Sequence, residues 1–252
     1  MLLEVLSSSP QIQNNHFIVA HQAVNYSKTI EKTMSVAIAI FAFSTLQWGI
    51  PLAGAGACAL GCASVTFFSE IFIRPSSSPT EGRWFDYKNV NFQKLKSLGI
   101  QLCIKQIAVG IIFTALGVTP FQHVAKLIAT RNIRIIFLAT LVAPITEEIL
   151  FRGFLKERIE DVLYFTHRYV CSIKGETRDL ISHLAQAVIF GAGHVTSAQT
   201  RLANTVIFAG TTLVGLVCSF IKDKYKDSLI PSISVHAMLN SSNVLRILVF
   251  GR

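Results

Sequence analysis

The chain has 252 residues, 51% of them hydrophobic and 15% charged, with a formal charge of +9 and a mean hydropathy of +0.50. These values argue against a soluble domain and make the bilayer the solvent for most of the chain. The positive charge is not a nucleic-acid footprint, because most Lys and Arg fall in short stretches between apolar runs, where they carry topology information.

In chain order, residues 1–33 form a polar N-terminal arm. Its histidines, His16 and His21, fit no ligand spacing. The start, Met1-Leu2-Leu3-Glu4, lacks the basic and long apolar regions of a cleavable signal, so the chain is expected to enter the membrane through its own first span. Residues 34–73 are apolar apart from Gly49-Ile50-Pro51 and Glu70, which predicts a hairpin of two spans of about 20 residues each. The second arm, Gly54 to Gly61, is rich in small residues and is expected to let helix backbones approach closely. Arg74-Pro75-Ser76-Ser77-Ser78-Pro79 then opens a cytoplasmic linker over 74–96, with Trp84, Phe85 and Tyr87 as interfacial anchors.

From residue 97 to 252 a single domain is expected, with apolar windows near 97–118, 135–155, 181–198, 204–221 and 229–250. Each is close to the length that crosses about 30 Å as a helix. The fold class is therefore all-α, a polytopic transmembrane bundle of about seven spans. Placing the N-terminus in the cytoplasm puts 15 Lys and Arg on the inner side against 5 on the outer side, in line with the positive-inside rule. Lys105 is expected to snorkel to the interface, His183 to mark the entrance of the fifth span, and Lys222 to Lys226 to act as a topological stop. The five cysteines are scattered and indicate neither a disulfide framework nor a zinc ribbon.

The fourth window carries Glu147, Glu148 and Arg152, three charges where an unpaired one costs on the order of 2.5–3.5 kcal/mol. Glu148 and Arg152 are four residues apart, about 40° on a helix, and can form an ion pair; Glu147 points roughly 100° away and is left to polarise something else. Pro144 removes the usual helical partner of the Thr140 carbonyl beside these charges. The fifth window ends in Phe190-Gly191-Ala192-Gly193-His194, where the glycines remove bulk around the imidazole. In the seventh, His236 and Asn240 lie one turn apart on one face.

Alone, His194 reads as a packed histidine, and the His236/Asn240 pair as interhelical hydrogen bonding. Jointly the set suggests chemistry. Glu147 and His194 can hold a water and take its proton, while His236 and Asn240 are donors for the oxyanion formed as that water attacks an amide. A small transporter using the carboxylates as a proton relay is a rival, but no inverted repeat is visible.

Glu147-Glu148-x-x-x-Arg152, Phe190-x-x-x-His194 and His236-x-x-x-Asn240, in this order on three apolar spans, resemble the motifs of the CPBP intramembrane proteases. That family includes CAAX prenyl endopeptidases and bacteriocin-processing or immunity proteins. The resemblance covers roughly 135–245 and implies that Glu147 and His194 activate the water, Glu148 and Arg152 support the site, and His236 and Asn240 stabilise the oxyanion. It further implies a membrane-embedded or lipidated protein substrate in the bilayer, no nucleic acid, and a multi-pass protein of a bacterial inner membrane. The oligomeric state is not legible. No cofactor is favoured; zinc is the alternative, held by Glu147, His194 and His236, but no His-Glu-x-x-His motif is present. The competing non-enzymatic reading is a catalytically silent member that binds a partner or confers immunity.

Overall fold

The computed structural model describes residues 27–42, 44–45, 51–72, 84–88, 90–115, 122–195, 200–225 and 228–250. The arm up to residue 26, the breaks expected at 49–50 and 74–79, and Arg252 lie outside these residues. Among the described residues the regular structure is all helix: α1 (27–42), α2 (Leu52–Phe72), α3 (Phe92–Ala115), α4 (Gln122–Ala129), an unbroken helical run from Ile133 to Tyr169, then α8 (Gly175–Gly193), α9 (Arg201–Lys224) and α10 (Ile230–Phe250). Within the long run, α5 (Ile133–Phe137), α6 (Ala143–Glu147) and α7 (Lys156–Tyr169) are separated by π-helical turns at Leu138–Val142 and Glu148–Leu155.

Local sequence explains several boundaries. α3 starts at Phe92, where the Asn91 side chain accepts a hydrogen bond from the Lys94 N–H at 3.0 Å and caps the first turn. Thr200 caps α9 in the same way, accepting from the Ala203 N–H at 3.2 Å. Pro51 stands just before α2, where a missing N–H costs nothing, and its carbonyl accepts from Ala55.

Among the described residues, three helices are long and apolar enough to cross a membrane: Phe92–Phe113, Arg201–Lys224 and Ile230–Phe250. They fall on the expected windows at 97–118, 204–221 and 229–250. Leu52–Phe67 is a shorter apolar stretch. The window at 135–155 is helical but carries Glu147, Glu148 and Arg152, and the one at 181–198 is helical as far as Gly193, in a helix whose first turns hold Glu176, Arg178 and Asp179.

The helices pack α8 on α9, α9 on α10, α3 on α10 and α7 on α8, and the Leu138–Glu147 stretch also lies against α10. Val36, Ala39 and Ile40 of α1, Ala59 of α2, Trp84, Ile149 and Leu229 form one core cluster, joined by Ile145 and Phe154. The small-residue face of α2 is therefore a packing face, but through alanines. Ala55, Ala59 and Ala63 are buried, whereas a methyl group added at Gly56 or Gly61 would meet no described atom. α7 is inverted relative to a solvated helix. Lys156 and Glu157 are buried while Val162, Phe165 and Tyr169 are exposed, a pattern suited to an apolar surrounding.

Candidate active site

Glu147 and Glu148 end α6 and open the π-helical stretch that follows, and both are buried, at 4% and 0% exposure. Four residues on, Arg152 is also fully buried, and its Nη1 lies 3.3 Å from Glu148 Oε1. Consecutive glutamates on a helix diverge, and the structure uses that divergence around one ring. His236, from α10, sits between them: its Nδ1–H donates to Glu148 Oε1 at 2.8 Å, and its Nε2 lies 3.6 Å from Glu147 Oε2. The Glu148 carboxylate thus serves both Arg152 and His236, a link between two of the sequence motifs that neither motif discloses alone.

His194 stands at the very end of its helix. α8 stops at Gly193, and His194 follows it as the cap, its N–H turned back to the Gly191 carbonyl at 3.1 Å. The imidazole Nδ1–H donates to the Phe190 carbonyl at 2.8 Å. A carbonyl can only accept, so Nδ1 carries the proton and the neutral ring presents a bare Nε2. That Nε2 is 3.8 Å from Glu147 Oε2. Both Glu147–imidazole separations exceed direct hydrogen-bond length.

Of the two glycines before His194, Gly191 serves helix packing. A Cβ at Gly191 would strike α9, 2.9 Å from the Phe208 carbonyl, so Gly191 permits the α8–α9 approach, whereas Gly193 faces no described atom. The space around Arg152 comes instead from Gly215 of α9, where a Cβ would stand 3.3 Å from the guanidinium and 3.1 Å from the Phe190 ring.

Phe190 offers no chemistry of its own in the sequence beyond its place in the motif, yet its ring is the common floor of the cluster. Arg152 stacks over it at 4.1 Å, His194 packs on it at 4.5 Å, and Phe151 and His236 meet it edge-on at 5.0 and 5.8 Å. Its spacing of four before His194 was the available signal.

Asn240 reaches the same region but is engaged elsewhere: its Nδ2 donates to the Ala139 carbonyl at 3.0 Å. The proline effect explains this. The Ala143 N–H bonds to Leu138, five residues back, so in π register the next carbonyl, that of Ala139, faces Pro144, which has no N–H. The carbonyl that Asn240 satisfies is therefore one residue earlier than the Thr140 carbonyl of the α-helical reading.

A second buried ionic group lies beyond Arg152, and sequence reading missed it. Glu157 meets Lys32 of α1 at 3.3 Å, Lys222 of α9 at 3.7 Å and the Trp84 Nε1–H at 2.9 Å. Lys156 meets Asp223 at 2.6 Å and Glu160 at 3.0 Å. His183 bridges Asp223 at 3.0 Å and the Ser219 hydroxyl at 2.7 Å. Lys222 and His183 are thus buried, Lys222 beside Glu157 and His183 hydrogen-bonded beside Asp223 and Ser219, and Trp84, fully buried, is no interfacial anchor. Lys105 is exposed on α3.

Among the described residues, no group of three or more His, Cys, Asp and Glu side chains is disposed to hold a metal ion, and Glu147, His194 and His236 are no exception.

Residues 129–242 match the family model described as type II CAAX prenyl endopeptidase Rce1-like, in agreement with the resemblance drawn from the three motifs. The matched segment spans the run that carries Glu147, Glu148 and Arg152, together with α8, α9 and the first half of α10. With three helices of membrane-crossing length and apolarity, the chain is an integral membrane protein. No curated protein and no solved structure matches it.

Proposed function

Because residues 129–242 match the family model described as type II CAAX prenyl endopeptidase Rce1-like, we propose that this chain is an intramembrane endopeptidase that hydrolyses a peptide bond of a prenylated CAAX-type C-terminus. The observation that carries the reading is the position of Glu147 Oε2 beside the Nε2 atoms of His194 and His236, contributed by three separate helical elements.

In this reading a water sits at that vertex, hydrogen-bonded to Glu147 and to the bare Nε2 of His194. Glu147 takes its proton as the oxygen attacks the scissile carbonyl, and returns it to the leaving amine. His236 acts as an imidazolium, its charge balanced by Glu148, and points Nε2–H at the oxyanion. The second N–H of Asn240 is the other donor. Arg152 keeps Glu148 ionised and in place, and Phe190 holds Arg152 and both imidazoles at fixed spacing. The reaction is written without a metal because no His-Glu-x-x-His motif is present and Glu148 is paired with Arg152.

The accompanying topology is about seven crossings with a cytoplasmic N-terminus, supported by the charge bias. In it, 34–73 forms a membrane hairpin, 74–96 a cytoplasmic linker and 97–252 the protease domain. The expected host is a bacterial inner membrane. An impermeant label on the linker is then accepted from the cytoplasmic side; labelling from the opposite side contradicts the arrangement.

The enzyme reading is tested by reconstituting the chain in bilayers with a prenylated CAAX peptide. Wild type cleaves, and Glu147→Ala and His194→Ala each lose about 10²–10⁴-fold. Wild type that binds the peptide without cutting it supports a silent partner-binding protein instead. Activity that survives metal removal, verified by metal analysis, separates the metal-free form from a zinc enzyme.

A further inference from the structure

Residues 27–90 lie outside the family match, yet one of them reaches the helix that carries the site. The Trp84 ring covers Gly153, the residue after Arg152, so closely that a Cβ there would stand 2.8 Å from the indole Cη2 and 3.0 Å from Cζ2. The indole N–H donates to Glu157 Oε1 at 2.9 Å, and Lys32 of α1 binds the same carboxylate while lying 5.7 Å from the indole centroid. The backbone of Trp84 faces the other way. Its carbonyl accepts from the Leu229 N–H at 2.6 Å, and the Ser228 hydroxyl donates to the neighbouring Asp86 carbonyl at 2.7 Å. Leu229 immediately precedes α10, which carries His236 and Asn240.

We propose that Trp84 is a positioning residue: by its side chain on Gly153 and Glu157 and its backbone on Ser228 and Leu229, it fixes the helix bearing Glu147, Glu148 and Arg152 against the helix bearing His236. The burial supports this. Trp84 is 0% exposed and shares one core cluster with Ile149, one residue after Glu148, and with Leu229. A displacement on the order of 1 Å in such an arrangement is enough to cost about 10²-fold in rate, so a brace some distance from the reacting atoms governs kcat and not substrate binding. Gly153 is the complement of the brace, because any side chain there would push the indole off the helix. The segment before the family match thereby acts as a support, in which α1 supplies Lys32 and the linker supplies Trp84 to hold a site to which neither contributes a reacting group. The kinetic part of this inference rests on the endopeptidase reading; the geometric part does not.

The test uses the full chain in bilayer nanodiscs, with spin-labelled unnatural amino acids at the exposed positions Val162 and Leu245, one on each of the two helices. Wild type gives a narrow distance distribution. Trp84→Ala broadens it, and Trp84→Phe, which keeps much of the bulk but lacks the N–H, broadens it less. In the peptide assay Trp84→Ala lowers kcat about 10-fold or more with KM within about twofold. Gly153→Ala lowers kcat as well, and adding Trp84→Phe, which removes the benzo ring that the new methyl meets, recovers part of it. A distribution unchanged in both Trp84 variants overturns the proposal, as does a fall in activity that appears in KM alone. If wild type cleaves no peptide but the distributions behave as stated, the endopeptidase reading fails and the interhelical brace stands.

Discussion

Two buried ionic groups follow one another along the same helical run, and they are built differently. Glu157, Lys156 and Asp223 each have a direct partner at 2.6 to 2.9 Å, with Lys32 and Lys222 standing farther from Glu157 at 3.3 and 3.7 Å. Around Glu147 the two imidazoles stand back at 3.6 and 3.8 Å. The tight group spends its hydrogen-bonding capacity on the fold. The loose one holds both imidazoles beyond direct hydrogen-bond length from Glu147, which suits a group that must exchange a proton with a transient molecule. Glu148 stands between these cases, bonded closely to His236 and Arg152 so that its neighbour need not be.

If the tight group is structural, removing its central carboxylate has the largest effect on stability. Glu157→Ala leaves Lys32 and Lys222 buried without that counter-charge, and a cost of about 3–5 kcal/mol is expected in reversible thermal or denaturant unfolding. A cost below about 1 kcal/mol would erase the distinction between the two groups. An intermediate effect is expected at the hydrogen bond between α10 and the proline-containing stretch. Asn240→Ala leaves the Ala139 carbonyl unsatisfied, for about 1–3 kcal/mol. Pro144→Ala restores a backbone N–H to that register, so the double variant is less destabilised than the sum of the singles; strict additivity would show that Asn240 is not compensating for the proline. The smallest effect belongs to Lys105→Ala on the exposed face of α3, within about 0.5 kcal/mol of wild type.

The same contrast separates what the sequence disclosed from what it hid. Glu147, Glu148, Arg152, His194, His236 and Asn240 were legible because charged and amide groups stand out inside apolar windows, and because Glu148–Arg152 and His236–Asn240 are local pairs at helical spacing. The second group was not legible, since Lys32, Trp84, Glu157 and Lys222 come from four separate parts of the chain and each, taken locally, resembles a solvated flank. Asn240 was found but its present partner was not, because the register shift at Ala143 moves the orphan carbonyl by one residue, and spacing alone assumes α-helical geometry. The windows at 97–118, 204–221 and 229–250 emerge as long apolar helices, whereas those at 135–155 and 181–198 carry the polar groups that make the site and so lose the plain hydropathy of a span.

The most direct measurement is cleavage of a prenylated CAAX peptide by wild type and Glu147→Gln in metal-depleted bilayers, with unfolding followed on the same samples. Glutamine keeps the size of the side chain and removes its basicity. The account predicts at least about 100-fold slower cleavage with unfolding stability within about 0.5 kcal/mol of wild type. Cleavage within about twofold of wild type by the Gln variant would contradict the assignment of Glu147 as the base.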